Sequence, residues 1–570
     1  MKQTITYKLT AQIIKSMTVF MMLQSFAYAL PSGWQVEAGS ASFDNSNPST
    51  LNITASNQAV INFNSFNIAQ NERVNFIQPS SDASVLGRMM GNQLSTISGS
   101  LYANGNLFLI NPNGINFSPS SNVMVNNLIA SGLNMKTSDF LNKNYVFEHG
   151  DNDPYSQIVN EGTITANNLA MIASSVNNKG TIIATVGNVQ LASGNKVTVS
   201  FDTQGLAQVE VNAKTLEQAT GMDGQKVKDA IANSGSIQAS KIVMNAQVAS
   251  HVFENAINQT GIVRSTNVVV KDGEIEFTAD GSDIQVSGTL ETPTTGSPVA
   301  GVSAIKIKTT ENIKVETDLK TTGNTVLSAN KDIIIHANIT TDSGSLSILA
   351  DQDFDGHGAV LANSNTTIQT TTFGDITIES SGESTLGNIV SAGNLTLEQA
   401  GASVHYVQGT DTSVYVTKSL IIGEGVTLSG VNTFYVIGES FENHGIFDAG
   451  YSSVILISPL EALVSGENTF YNLVVSNLSV IPAQAGIQNS LFSSIVANPA
   501  SAGRPGSPTN TFGDDNSSNG TYTKTVTFDA GKTQTVSGAL VLAGGFGKLI
   551  HVQSSSQDVP WKLNATGPIS

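Results

Sequence analysis

The chain has 570 residues with 51 glycines and no cysteine, and its 44 acidic against 26 basic residues give a formal charge of −18. The lack of cysteine excludes disulfide scaffolds, cysteine-based zinc sites and thiol catalysis, and an acidic balance without a dense basic patch speaks against nucleic acid and anionic membranes as partners. With 40% hydrophobic and only 12% charged residues, the chain is too apolar for disorder and too poor in charge for ordinary helix surfaces, so an elongated all-β protein is expected.

Lys2, Lys8 and Lys15 precede the apolar run Met17–Phe26 and the tripeptide Ala27-Tyr28-Ala29. A basic leader, an apolar core and an A-x-A site predict a signal peptide over residues 1–29. The run is shorter than the roughly 18 apolar residues that a membrane helix needs, and no later stretch comes closer. The mature chain is therefore expected to be exported without a membrane span. Losing three lysines takes its formal charge from −18 to −21. Disulfides persist in the periplasm, where they would obstruct a chain that must cross a second membrane unfolded; the absence of cysteine suits such a route.

Residues 106–119 read N-L-F-L-I-N-P-N-G-I-N-F-S-P. Two apolar runs flank Asn111-Pro112-Asn113-Gly114, where Pro suits the second position of a type I turn, Asn tolerates the third and Gly is favoured at the fourth. Strand, tight turn, strand is the prediction. Turn signals of the same kind recur: Asn160-Glu161-Gly162-Thr163-Ile164, Asn178-Lys179-Gly180-Thr181-Ile182, Asn233-Ser234-Gly235-Ser236-Ile237 and Asn258-Gln259-Thr260-Gly261-Ile262. Further on come T-T-G-N-T-V-L-S (321–328), S-G-S-L-S-I-L-A (343–350), F-G-D-I-T-I-E-S (373–380) and A-G-N-L-T-L-E-Q (392–399). Each runs into the period-2 alternation of a half-buried strand. Single short strands between bends, at spacings near 20 residues, fit a solenoid and predict a parallel β-helix whose bend asparagines stack in ladders. Coils of roughly 22 residues stacked about 4.8 Å apart make a rod on the order of 100 Å. Two segments break the pattern. Residues 212–232 read as helical, interrupted at Gly221 and Gly224, and residues 481–526, rich in Pro, Gly, Ser and Asn, read as a flexible insertion.

Q-P-S-S-D-A-S-V-L-G-R-M-M-G (78–91), I-S-G-S-L-Y-A-N-G-N-L-F-L-I-N-P-N-G-I-N-F (97–117) and V-N-N-L-I-A-S (125–131) resemble, in order and spacing, the N-terminal domain of two-partner secretion exoproteins, the filamentous haemagglutinin-like family. The starts L-P-S-G-W-Q-V-E-A-G-S-A-S-F (30–43) and F-N-S-F-N-I-A-Q-N-E-R-V-N-F (63–76) are similar too. The resemblance implies a right-handed parallel β-helix with an N-terminal cap. It implies export through a dedicated outer-membrane β-barrel transporter that recognises this domain. Asn111, Pro112, Asn113 and Gly114 are carried over as the turn in the region needed for secretion; the family's second turn, N-P-N-L, is not found as such. The implied organisation is a signal peptide (1–29), a secretion domain (30–280), β-helical repeats (281–480), the insertion (481–526) and a C-terminal repeat segment (527–570). V-I-P-A-Q-A-G-I-Q (480–488) looks like a translated intergenic repeat, and 470–476 and 529–542 look like neighbouring parts of one repeat parted by it.

Candidate chemistry is sparse. Asp351-Gln352-Asp353-Phe354-Asp355-Gly356 begins like a calcium loop, but position 12 is Ala362 where a glutamate is expected, so a polar turn between coils competes with calcium at Asp351, Asp353 and Asp355. The seven histidines have no metal-binding spacing, and G-G-F-G-K (544–548) lacks the P-loop pattern. Solenoid glycan-cleaving enzymes use close carboxylates; here they are spread thinly, and no enzyme is expected. The reading is a secreted or surface-exposed adhesin or haemagglutinin with an unnamed glycan or protein ligand on a host or neighbouring cell. The alternatives are a haem- or haemoprotein-binding exoprotein and a truncated contact-dependent toxin carrier, the last wanting an effector domain that the repeat-like end W-K-L-N-A-T-G-P-I-S does not offer.

Overall fold

The computed structural model describes residues 29–202, 205–266, 273–292, 305–457, 461–476, 522–543 and 549–569. The predicted leader up to residue 28 and most of the predicted insertion lie outside the described residues. At the N-terminal end, Gln35–Ala38 pairs antiparallel with Ala59–Phe63, and Ala41–Asp44 with Thr50–Ala55. Trp34 stacks on Phe43 with centroids 4.7 Å apart. These antiparallel strands close the end of the solenoid, where an open parallel ladder would present unpaired backbone.

Every later pairing in the solenoid's large sheet is parallel, each strand stacking on its counterpart one coil on. Successive coils therefore place the same face in register. One inward column runs Val85, Leu107, Leu128, Leu169, Val189, Ile242, Ile275 and Ile305, and all of these side chains are buried in one continuous core. Burying each contributes about 1.5–3 kcal/mol, so the alternation seen in the sequence becomes a stacked aliphatic interior. The coil is about twenty residues where turns are short: Asn338 N–H donates to the Asp318 carboxylate twenty positions earlier, and Asp332 N–H to Asn312.

The asparagine ladder is present. Asn160 Nδ2 donates to Asn178 Oδ1 (2.8 Å), Asn178 to Asn233 (2.7 Å) and Asn233 to Gln259 Oε1 (2.8 Å), all buried. In the fourth coil the rung is Gln259, not Asn258, because the rung must lie two residues before the corner glycine. That glycine has its own reason. A Cβ on Gly180, Gly235 or Gly261 would lie 2.1–2.2 Å from the carbonyl oxygen of the corner glycine one coil earlier. The N-x-G repeat is thus two adjacent columns, one of amides and one of bare backbone.

Two excursions leave the coil at the same corner, after Ser131 and after Ser193. They form a small antiparallel sheet of Tyr145–Glu148, Lys196–Asp202 and Gly205–Ala213, with the five-residue helix Thr137–Leu141 beside it. This sheet covers the outer face of Ser84–Met89, Phe108–Ile110 and Ile129–Ser131, and Phe108, Phe140, Tyr145, Phe147 and Val197 build a second core there. The runs L-F-L-I and V-L-G-R-M are continuously apolar or buried because both their faces are covered.

The helical expectation for 212–232 is not met. The segment ends the strand Gly205–Ala213, turns through bridges Thr215–Val248 and Thr220–Lys226, and enters the strand Asp229–Asn233. Thr215 and Ala219 are buried while Leu216 between them is exposed, so a helix there would have no apolar stripe to bury, and one of this length without packing is marginal.

Of the predicted insertion (481–526), only residues 522–526 are described. Tyr522–Phe528 is already a strand, stacked on Glu461–Ser465, and Thr533–Val536 and Leu540–Ala543 stack on Asn468–Phe470 and Asn472–Ser476. The coils on either side are direct neighbours. In this layer Lys524 is buried, its Nζ donating to the carbonyls of Leu456 (2.8 Å) and Ser476 (2.9 Å). Burial pulls its ammonium down to about 8, against about 10.4 in an unfolded chain. Between those values the unfolded state binds the extra proton, so stability rises with pH there and is flat below about 8. Chemical denaturation at pH 7.5 and 9.5 should show wild type gaining about 1–2 kcal/mol relative to Lys524→Met. An equal response in both chains would refute the effect.

Candidate functional site

The N-P-N-G turn ends the strand Ser100–Ile110 and starts Ile115–Phe117. Gly114 N–H donates to the Asn111 carbonyl at 2.9 Å, closing the predicted turn. Asn111 is wholly buried. Its Oδ1 accepts from Asn113 N–H (2.9 Å) and Asn113 Nδ2 (3.1 Å), and its Nδ2 donates to Gln93 O (2.9 Å) and Ser95 Oγ (3.0 Å). Asn113 Nδ2 also reaches Gly91 O at 2.9 Å. Toward the next coil, Asn111 N–H donates to Ser131 O. Gly114 has φ +103°, and a Cβ there would lie 2.6 Å from Gln157 O. Pro112 is buried as well. The turn is a fastener tying its own coil to the ones before and after. Asn111 and Pro112 are buried and Asn113 is half-buried.

A second fastener holds the cap. Arg88, in the strand Ser84–Met89, is buried; its guanidinium donates to Met135 O (2.5 Å), Thr137 Oγ1 (3.2 Å) and Glu37 Oε2 (3.3 Å). Thr137 Oγ1 and Asn62 Nδ2 donate to the same Glu37 carboxylate. The Thr137 hydroxyl, more than any other contact, holds the Glu37 carboxyl below its usual range, with Asn62 and Arg88 adding to it. Burial pulls the Arg88 guanidinium down while Glu37 pushes it back. One side chain thus joins the strand Gln35–Ala38, the solenoid and the outer excursion. Arg88→Ala should cost about 2–3 kcal/mol, since it strands a buried carbonyl and unpairs a half-exposed carboxylate. A melting temperature unchanged within error would contradict this. Spacing gave no signal for this arginine beyond its place in the motif at 78–91.

The structure brings Asp351, Asp353 and Asp355 together, with carboxylate oxygens within 4.8 Å of one another. Asp351 is buried and heavily committed: it accepts from Asp355 N–H, from Gly356 N–H and from the Ser381 hydroxyl. Asp353 and Asp355 are exposed. Asp351 itself (φ +58°) and Phe354 (φ +58°) adopt left-handed backbone to form the loop. Ala362, the twelfth position, lies in the strand Val360–Ala362 and is buried. Asp351 acts as the loop's internal cap, and only the two exposed carboxylates keep most of their oxygens available to a cation such as calcium. Nearby, burial raises Glu379, with Glu398 and Asp351 adding repulsion.

The cysteine-free chain is thus a parallel β-helix, capped by antiparallel strands and fastened at an N-P-N-G corner. Residues 27–292 match the family described as the TPS secretion domain, which is consistent with a two-partner secretion exoprotein. It is 24% identical over 311 residues to a heme/hemopexin-binding protein of Haemophilus influenzae, a match covering 50% of this chain and 32% of that protein. A second such protein, from another strain of that species, is 27% identical over 235 residues, covering 40% of this chain and 24% of the relative. The matches thus span a third or less of these curated relatives. Among solved structures, the HMW1 secretion domain from H. influenzae aligns at 20% identity and TM-score 0.41, covering 78% of this chain and 96% of that one. The filamentous hemagglutinin secretion domain aligns at 12% and 0.27, covering 67% and 100%. The fold assignment rests on the strand pairing of this chain itself. The TPS domain implies a cognate outer-membrane transporter, and no helix among the described residues is long and apolar enough to cross a membrane.

Proposed function

We propose that this exoprotein is a surface or secreted adhesin whose N-terminal domain directs its own export and whose coils then fold outside the cell. The observation that carries the reading is the register: stacked coils continue from the cap to the bridge Leu540–Ile569. Each coil adds one layer of core and one ladder of backbone bonds and contacts mainly its neighbours, so folding can follow emergence coil by coil. Residues 1–29 act as the signal peptide, and the corner at Asn111–Gly114 serves secretion by fixing the shape of the domain. The coils beyond residue 280 serve as the stalk and display surface. Purified mature chain should bind host or neighbouring cells saturably; failure to bind any cell type presented would sink the adhesin reading.

A second reading is favoured by the names of the two relatives. A haem- or hemopexin-binding exoprotein would share this export domain. Titration of the mature chain with haem, followed by its absorbance, and pull-down of hemopexin discriminate the two; binding in either assay would replace the adhesin reading.

A further inference from the structure

Between the outer antiparallel sheet and the solenoid lies a groove of about 1020 Å³, the upper end of the size usual for small-ligand sites. Its floor is made of amides held in place by the stacking of coils. Asn167 Nδ2 donates to Asn126 Oδ1 at 2.6 Å, and Asn126 Nδ2 donates to Ser81 O at 2.9 Å. Beside this row runs a second one, Asn168 to Asn127 (2.8 Å) and Asn127 to Asn106 (2.6 Å). The opposite wall comes from the excursions, with Asn144, Ser200 and the aromatic pair Tyr145 and Phe201, whose centroids are 5.3 Å apart. Three charged residues line it, Asp82, Asp202 and Lys143.

We infer that this groove binds a neutral saccharide. The argument is one of chemistry and pre-organisation. Amides offer a donor and an acceptor from one rigid plane, which matches vicinal hydroxyls that themselves donate and accept. Those of the floor are already ordered by bonds between coils, so a ligand meets them without further loss of side-chain freedom. Rungs repeat about every 4.8 Å along the solenoid, close to the rise of one ring in an extended glycan. The partly exposed ring of Phe201, backed by the buried Tyr145, supplies the apolar surface on which the C–H face of a sugar packs. Two carboxylates against one ammonium, among the described lining residues, disfavour sulfated, sialylated or phosphorylated ligands.

The inference deepens the adhesin reading by naming its ligand class, and the test separates them. Mature full-length chain is screened on an array of neutral and anionic oligosaccharides, and the best neutral binder is titrated calorimetrically. Asn144 and Asn167 are exposed, so the double variant Asn144→Ala/Asn167→Ala should keep the wild-type melting temperature and be released normally. Its affinity for the neutral oligosaccharide should fall at least tenfold, and Phe201→Ser should fall likewise. Retention of anionic glycans alone, no glycan binding at all, or equal affinity in wild type and both variants overturns the groove. Adhesion to cells is measured in parallel. Glycan binding without adhesion would sink the adhesin reading and leave the groove standing, whereas adhesion without glycan binding would do the reverse.

Discussion

Gly235→Ala is expected to destabilise the solenoid by about 3 kcal/mol or more, at the upper end of what one added methyl does in a packed interior. The new Cβ would meet the Gly180 carbonyl oxygen at 2.1 Å, backbone against backbone, with no flexible side chain to yield. The coil would have to move away, and movement there stretches the Asn178–Asn233 and Asn233–Gln259 rungs two residues off. Equilibrium denaturation and resistance to protease should both fall. Lys179→Ala, in the equivalent turn one coil earlier, removes only an exposed pair with Glu161 at 3.1 Å and should change stability by no more than about 0.5 kcal/mol. Similar losses in the two variants would show that the corner column is not what excludes a side chain.

The double variant Asn111→Ala/Asn113→Ala should be hit in both folding and export. Asn111 loses four side-chain bonds in a wholly buried setting and Asn113 one more to Gly91, leaving Ser95 and two carbonyls short of partners. Each buried group left unpaired costs about 1–3 kcal/mol, so a loss of about 3–5 kcal/mol is expected, and release into the medium should fall tenfold or more with the transporter present. Because Asn111 is buried and Asn113 half-buried, the two losses should track each other across milder variants such as Asn113→Ala alone. Normal stability with abolished release would instead make the turn a direct contact, and undiminished release would remove it from secretion altogether.

How much of this could be read from the residues depended on whether the signal was local. The N-x-G corners announced both coil spacing and ladder, since a short turn followed by alternation has few other solutions. The identity of the fourth rung required register, which only counting back from Gly261 reveals. The outer sheet was hidden for a different reason: Tyr145–Glu148 and Lys196–Asp202 are some fifty residues apart and pair across two separate excursions. Its only trace in the sequence is that L-F-L-I and its neighbours fail to alternate. The same non-locality hid Arg88, whose partners Glu37 and Met135 lie on either side of it in the chain and meet only after the cap has closed. Interrupted polar and alanine-rich sequence at residues 212–232 resembles a helix, but its buried residues Thr215, Ala219, Ala230 and Ile231 are spaced for turns and a strand, and Leu216 is left exposed.

The central claim is that the region matching the secretion domain, residues 27–292, directs this chain out of the cell through its own transporter. The most direct measurement fuses residues 1–292 to a reporter enzyme and quantifies reporter in the medium, with and without the cognate transporter, in cells shown not to leak periplasm. The account predicts reporter outside only when the transporter is present, and retention in the periplasm without it. Equal release in both strains, or retention in both with the fusion stably folded, would contradict it.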